Sequence, residues 1–231
     1  EGQVFAGEVH SIVSRVTALK RARPADLPLL GVGAPSYLLS TALPAIASLG
    51  GAVRFRGVEL PPSLIRSAFG ERFFDLALLP GECPRLPPTW EAVAVGSLKK
   101  RLYARPDVVA SLGPPPVSPE ELLGQRFVLP SYWVNGGFVA VDDDCPLPLE
   151  RRRPGQEVAT FRLALDVAAT TGELAFGPEL AARHHVRSGH LAEVVVEGWD
   201  VQESLYLCVE TGRVSRRLRD GLVEALARLV A

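Results

Sequence analysis

The stretch LPLLGVGAPSYLLSTALPAIASL, residues 27–49, joins the pattern of a buried strand to that of a helix. Leu29, Leu30 and Val32 form the short apolar run of a strand that is covered on both faces. After Pro35, apolar residues recur at helical spacing at Leu38, Leu39, Ala42, Leu43, Ile46 and Ala47. We therefore predict a buried strand that runs directly into a helix.

The junction between this strand and this helix is a candidate anion site. Ser36 stands where a helix N-cap belongs. The free N–H groups and the positive dipole end of the helix should open beside it, which favours a small anion. Gly31 and Gly33 lie within the strand, where glycine indicates that another group approaches the backbone closely.

The same strand–helix pattern repeats along the first third of the chain. Strand-like runs recur at Val53–Phe55 and Leu76–Leu78, with helical patterns at Ser36–Leu49 and Pro61–Phe69 between the strands. Strands and helices that alternate in this way predict a parallel α/β unit. Pro80 and Gly81 follow the third strand, at the carboxyl edge where open parallel sheets bind ligands.

The middle of the chain is predicted as two short strands, a connection, a strand and two loops. In order, these are Trp90–Leu98, Arg101–Ala104, the proline-rich Arg105–Pro119, Phe127–Leu129, the aromatic and glycine-rich Pro130–Gly137, and the polar Asp142–Arg153. A helix start is predicted at Ser118–Glu121, with Pro119 at its first position. The charge runs Lys99–Arg101 and Arg151–Arg153 are interpreted as solvated faces.

The last third is predicted as a helix, strands and a closing helix. Thr160 should cap a helix that ends at Gly172. Strand patterns follow at Leu174–Pro178, Leu191–Val196 and Ser204–Val209, and an amphipathic helix at Val214–Val230.

The N-terminal segment has the spacing of a coiled coil. Apolar residues alternate at intervals of four and three at Phe5, Val9, Ile12, Val16 and Leu19. A seam this narrow predicts a helix, ending before Pro24, that pairs with a second chain.

Composition excludes several classes of protein. A formal net charge of -1 argues against a nucleic-acid or acidic-membrane partner for this segment. No apolar stretch reaches membrane-spanning length, and no signal peptide is present. Three widely spaced cysteines without a CxxC pair favour a reducing compartment, and we expect a cytoplasmic protein. The chain begins at Glu1 and contains no methionine, which indicates a processed or truncated piece.

Catalytic and metal signatures are weak. Gly31-x-Gly33-x-x-Ser36 only half-resembles a dinucleotide fingerprint, because its glycines fall inside the strand. His184, His185 and His190 cluster in the sequence, but adjacent polar residues in loops are usually solvated. No serine lies in a GxSxG elbow. We predict a protein that is not an enzyme, with no metal and no cofactor.

Taken together, the motifs resemble the regulatory domain of LysR-type transcriptional regulators over nearly the whole chain. GVGAPS at 31–36 is similar to the first strand and effector loop of that family, and FDLAL at 74–78 to its third strand. AATTGELAFGPE at 168–179 is similar to its VAAGLGIALLPE stretch, except that Thr171 and Glu173 replace two usual glycines. The N-terminal heptads match its dimerising linker helix.

The resemblance implies an α/β fold of two Rossmann-like lobes with periplasmic-binding-protein type II architecture. Two crossover strands, near 101–105 and 204–209, would join the lobes. The implied domains are a linker helix at 1–24, lobe I at 25–103 and 206–231, and lobe II at 104–205. A winged helix-turn-helix domain, absent from this chain, would precede the linker helix and bind DNA.

The resemblance also implies a small-molecule effector in the crevice between the lobes and a homodimer or homotetramer. The implied effector-binding residues are Ala34, Pro35, Ser36, Tyr37, Pro80, Gly81, Pro130, Ser131, Tyr132, Trp133, Thr160, Phe161, Phe176 and Gly177. The helix ends at Ser36 and Thr160 favour an anionic effector. A solute-binding protein of a transport system shares this architecture and is the alternative function.

Overall fold

A computed structural model describes residues 27–49, 53–134, 137–140 and 143–230, with backbone only for 132–134 and 137–140. The predicted dimerisation residues Phe5, Val9, Ile12, Val16 and Leu19 lie outside the described residues. The pairing of the N-terminal helix with a second chain therefore stays a prediction.

The described residues form ten strands and six helices. The strands are β1 (Leu29–Ala34), β2 (Arg54–Glu59), β3 (Leu76–Pro80), β4 (Trp90–Ala104), β5 (Arg126–Val134), β6 (Gly137–Ala140), β7 (Arg153–Val158), β8 (Ala175–Pro178), β9 (Ala192–Val194) and β10 (Val201–Glu210). The helices are α1 (Ser36–Ala47), α2 (Pro62–Ser67), α3 (Pro106–Ser111), α4 (Phe161–Thr171), α5 (Glu179–Arg187) and α6 (Arg216–Val230).

Lobe I is built on the predicted parallel unit. β1 pairs in parallel with β2 and with β3, which confirms the strand–helix–strand prediction. The group that approaches the glycines of β1 is Phe74, since a Cβ at Gly33 would lie 2.7 Å from its ring and one at Gly31 3.0 Å from its Cα. Leu38 and Ile46 of α1 pack with Leu222 of α6 on one face of this sheet.

Two long strands join the lobes. β4 runs without a break through Gly96 and pairs with β10 along its length, so the prediction of two separate strands there is wrong. The sheet has the order β2-β1-β3-β10-β4-β8, with β9 also on β4. Because β3 pairs with one end of β10 while β8 and β9 pair with the far end of β4, both lobes share these strands. The arrangement confirms the α/β fold of periplasmic-binding-protein type, and the exact lobe bounds stay a prediction.

Lobe II contains a small three-stranded sheet, β6-β5-β7, that the sequence only partly predicted. Residues 130–134 continue β5 and pair with β6, so the predicted loop at 130–137 is wrong and a hairpin lies there. Alternating aromatic and β-branched residues favour strand over loop at this position. A parallel bridge between Phe127 and Leu174 joins β5 to the edge of β8.

Three other predictions of local structure are corrected. The proline-rich connection contains α3, with Pro106 in its first turn. The predicted helix at Ser118 is only a single 3-10 turn, Pro119–Leu122. The polar loop before β7 is not wholly solvated, because Arg152 is 4% exposed and binds the Asp143 carboxylate with both terminal nitrogens.

The caps of α4 confirm the sequence reading. Thr160 Oγ1 accepts a hydrogen bond from Leu163 N at 3.3 Å. Gly172 ends the helix with φ of 77°, a left-handed conformation that glycine adopts without a steric penalty. Among the described residues, no helix is both long and apolar enough to cross a membrane.

The contact between α4 and α5 contains a histidine that should make lobe II sensitive to acid. His185 Nε2 lies 3.3 Å from Asp166 Oδ1, and its Nδ1 is buried with no partner among the described residues. Burial lowers the pKa of His185, as do His184, His190 and Arg162, while Asp166 opposes them.

A lowered pKa in the folded state means that the unfolded chain takes up the proton first as pH falls. Stability should therefore be full above about pH 6.5, the ordinary histidine pKa, and decrease below it. We expect His185→Gln to show a smaller loss of stability than the parent chain between pH 7 and pH 5 in urea unfolding. Equal losses in the two proteins would contradict this assignment.

Candidate functional site

The β1–α1 junction exposes a free hydroxyl. Pro35, not Ser36, occupies the N-cap position, and its carbonyl accepts from Leu38 N and Leu39 N, both at 3.0 Å. The prediction that Ser36 caps the helix is therefore wrong, since Ser36 is the first helical residue. Its half-buried hydroxyl has no hydrogen-bond partner within the described part of the chain. Ala34, the last residue of β1, is fully buried.

The second loop of lobe I is fixed to a crossover strand. Pro80 ends β3 opposite Leu205, and Gly81 N donates to Ser204 O at 2.9 Å. Arg66 of α2 donates to Pro80 O at 3.2 Å and to Glu82 O at 3.2 Å. Sequence reasoning missed Arg66, because no pattern indicates which carbonyl a helical arginine will reach.

Ser131 is the most unusual polar group at the edge of lobe II. Pro130 pairs with Val158 at the end of β7, which places Ser131 level with the start of α4. Ser131 is 2% exposed, and its Oγ has no hydrogen-bond partner among the described residues. A buried hydroxyl without a partner is unfavourable by about 1–3 kcal/mol, so such a group calls for an explanation.

The N-terminus of α4 lies at this edge. Thr160 satisfies only Leu163 N, and no described group accepts from the N–H of Phe161 or Arg162. The Phe161 ring packs on Gly177, where a Cβ would lie 2.3 Å from Cε2. Glycine at 177 therefore allows the ring to cover the end of β8.

The remaining predicted residues are placed differently from one another. Phe176 is 6% exposed and packs edge to face on Trp199, with ring centroids 5.8 Å apart, inside lobe II. Tyr37 is 9% exposed on the first turn of α1. The backbones of Tyr132 and Trp133 pair with Val139 and Phe138.

The two lobes meet at these edges. Helix α1 of lobe I contacts α4 and α5 of lobe II, so the structure brings the helix of Ser36 and the helix of Thr160 together. Ser131 and Thr160 lie at one edge of lobe II, and Ser36 and Pro80 at one edge of lobe I.

A family model for the LysR substrate binding domain matches residues 30–231. The chain belongs to the LysR-type transcriptional regulators. No curated protein has a matching sequence.

Solved structures of other LysR-type proteins share the fold. The chain is similar to a probable transcriptional regulator, PA0477, of Pseudomonas aeruginosa, with 22% identity, TM-score 0.68, and coverage of 97% of this chain and 76% of that one. It is also similar to the OxyR2 regulatory domain of Vibrio vulnificus, with 12% identity, TM-score 0.68, and coverage of 90% and 98%. For the CrgA regulatory domain of Neisseria meningitidis the identity is 17%, the TM-score 0.63, and the coverage 89% and 100%.

This LysR-type regulatory domain has a small polar cavity that the sequence did not predict. It measures about 40 Å³, lies between β4, α5 and α6, and is lined by Ser97, Leu98, Lys99, Glu179, Leu180, Arg183 and Val230. None of the predicted effector residues lines it. Within the described residues, no group of three His, Cys, Asp or Glu side chains has an arrangement that could hold a metal ion.

Proposed function

We propose that this regulatory domain senses a small anionic molecule in the crevice between its lobes. The observation that carries the proposal is the buried hydroxyl of Ser131, which lacks a partner at the edge where α4 begins. A bound effector would supply the missing hydrogen bond. A group left without a partner in the free protein is what a site built for an absent ligand requires.

The chemistry of the surrounding groups favours a carboxylate. The free N–H groups of Phe161 and Arg162 and the positive end of α4 attract an anion, and the hydroxyls of Ser131 and Ser36 add directional bonds. Half-buried Phe161 and the ring of Tyr37 offer apolar surface beside them. The proposed effector is therefore a small carboxylate with an apolar or aromatic body.

The proposal extends to the assembled regulator. A winged helix-turn-helix domain N-terminal to this chain would bind DNA, and the heptad segment would pair two or four subunits in the cytoplasm. Effector binding would change how the lobes sit together, and the linker helix would transmit that change to the DNA. The family match supports this over a solute-binding protein for transport.

Removing the Ser131 hydroxyl should affect folding and binding in opposite directions. We expect Ser131→Ala to be as stable as the parent chain or up to about 1 kcal/mol more stable, because no buried group is then left unpaired. Binding should weaken by about 1–2 kcal/mol for whichever of acetate, succinate or benzoate binds the parent chain. Urea unfolding and calorimetry measure the two effects, and a variant that loses stability while keeping affinity would contradict the proposal.

The two helix starts should contribute separately. Ser36→Ala and Thr160→Val are each expected to weaken binding of that carboxylate by roughly 1–3 kcal/mol, the scale of a hydrogen bond to a charged group. Ser40→Ala and Thr170→Val are matched controls, since both hydroxyls donate only to carbonyls of their own helices, Tyr37 O and Asp166 O. Affinity that stays unchanged in Ser36→Ala and Thr160→Val would exclude both from the site.

A further inference from the structure

Lys100 is a buried cation at the point where β4 passes from one lobe to the other. It lies opposite Val201 of β10 on one side and Pro178 of β8 on the other. On the same face of the strand, Leu98 belongs to the apolar core of lobe I and Leu102 to that of lobe II. Lys100 is 8% exposed, so its charge lies between two apolar cores.

Three acceptors surround the three ammonium protons of Lys100. Nζ lies 2.7 Å from Asp144 Oδ2, 3.2 Å from Glu203 Oε2 and 3.4 Å from Asp143 O. Burial alone would lower the pKa of Lys100, but Glu203 and Asp144 outweigh it and raise the pKa. Glu203 belongs to the other crossover strand and Asp144 to lobe II, so one cation connects all three.

The two carboxylates differ in how readily they can separate from Lys100. The Glu203 side chain is 14% exposed, and removing its partner would leave a charge with little access to water. The Asp144 side chain is 65% exposed, so water can replace its contact with Lys100 at low cost. The network should therefore open at Asp144.

Asp144 is held towards Lys100 from the lobe II side. Its backbone has a φ of 61°, a conformation that residues with a side chain adopt rarely. The adjacent Asp143 is fixed by Arg152, and the buried Cys145 donates its N–H to Asp143 Oδ1 at 3.2 Å. This segment follows the β5–β6 hairpin, on whose first strand Ser131 lies.

We propose that Lys100 and Asp144 form an ionic latch that holds the β5–β6 hairpin of lobe II against the crossover strands. With the latch closed, the hairpin and Ser131 keep a fixed position relative to lobe I. When the lobes move apart, the Lys100–Asp144 contact breaks first and the Lys100–Glu203 contact stays. The role of Ser131 in this latch rests on the proposed effector site, whereas the contact itself does not.

The test uses Asp144→Asn, which removes the charge, keeps the shape and affects an exposed side chain. Asp200→Asn is the matched control, because the Asp200 side chain is 73% exposed and pairs with the neighbouring crossover residue Arg101 at 3.6 Å. Native-state hydrogen exchange is measured without ligand. We expect the amides of 98–101 and 201–204 to exchange roughly two- to fivefold faster in Asp144→Asn, the range of one exposed ion pair, and to be unchanged in Asp200→Asn.

Two results would overturn the latch. The first is crossover-strand exchange in Asp144→Asn equal to that of the parent chain or of Asp200→Asn. The second is an equal acceleration at the core amides of α6, such as Leu222 and Leu226, which would mean a general loss of stability. Because no ligand is present, failure of the carboxylates to bind would refute the proposed effector site and leave this result intact.

Discussion

Replacing Arg152 with methionine should lower the free energy of unfolding by about 3–5 kcal/mol, the cost of removing one partner of a buried ion pair. The Arg152 side chain is 1% exposed, and its two terminal nitrogens bind the Asp143 carboxylate at 2.7 and 2.8 Å. Its Nε donates to Leu147 O at 2.6 Å, and the guanidinium lies 5.7 Å from the centroid of the Phe127 ring. Methionine keeps the apolar packing and leaves Asp143 buried without a counter-charge.

Urea unfolding measures this effect against two reference variants. Arg151→Met changes the neighbouring arginine, whose side chain is 52% exposed and reaches Glu120 only at 4.0 Å, and should cost less than about 0.5 kcal/mol. Adding Asp143→Asn to Arg152→Met should recover roughly 1–3 kcal/mol, because the unpaired charge is then gone. If Arg152→Met and Arg151→Met were equally stable, the buried pair would not support lobe II.

Gly155→Ala should cost roughly 2–3 kcal/mol by overpacking. A Cβ at position 155 would lie 2.4 Å from Glu173 Oε2 and 2.8 Å from the backbone oxygen of Phe127. Neither group can move freely, because Glu173 is 4% exposed and accepts from Gln156 N at 2.9 Å, and Phe127 O belongs to β5. The β5–β7 pairing should therefore loosen.

Thermal and urea unfolding of Gly155→Ala are compared with Gly124→Ala, where a Cβ would meet no atom within 4 Å. The control should change stability by less than about 0.5 kcal/mol. In a double variant with Glu173→Ala, the cost of the alanine at 155 should fall, because one of its two clashes is removed. A Gly155→Ala protein as stable as the Gly124→Ala control would refute the close contact.

Gly155 also explains a departure from the family pattern that the sequence left open. Glu173 stands where a glycine is usual, and its carboxylate fills the space that a side chain at 155 would need. The sequence shows the unusual Glu173, but the residue that accommodates it is 18 positions away in the chain. Only the pairing of β5, β7 and β8 brings the two together.

Local patterns predicted the elements well where one physical preference dominated. The apolar run of β1 predicted a strand buried on both faces, and the threonine–glycine pair around α4 predicted both ends of that helix. At Ser36 the same reasoning failed by one residue, because a serine after a proline fits either the N-cap or the first helical position. The consequence is functional, since a serine that does not cap has its hydroxyl free.

Burial of charge was the property that the sequence could not show. The runs Lys99–Arg101 and Arg151–Arg153 were interpreted as solvated faces, and the flanking residues are exposed or half-buried, but the middle residue of each run is buried. In β4 the alternation of a strand turns Lys100 to the opposite face from its neighbours. Whether that face is wet or dry depends on Asp144 and Glu203, which are distant in sequence.

The central claim is that a carboxylate binds between the lobes beside Ser131, and an amide proton–nitrogen correlation spectrum tests it most directly. The parent chain is titrated in turn with acetate, succinate and benzoate at constant ionic strength and pH. The account predicts saturable shifts for one of them, concentrated at the amides of 36–38, 131 and 160–162. Shifts confined to other parts of the molecule, or none with any of the three, would contradict it.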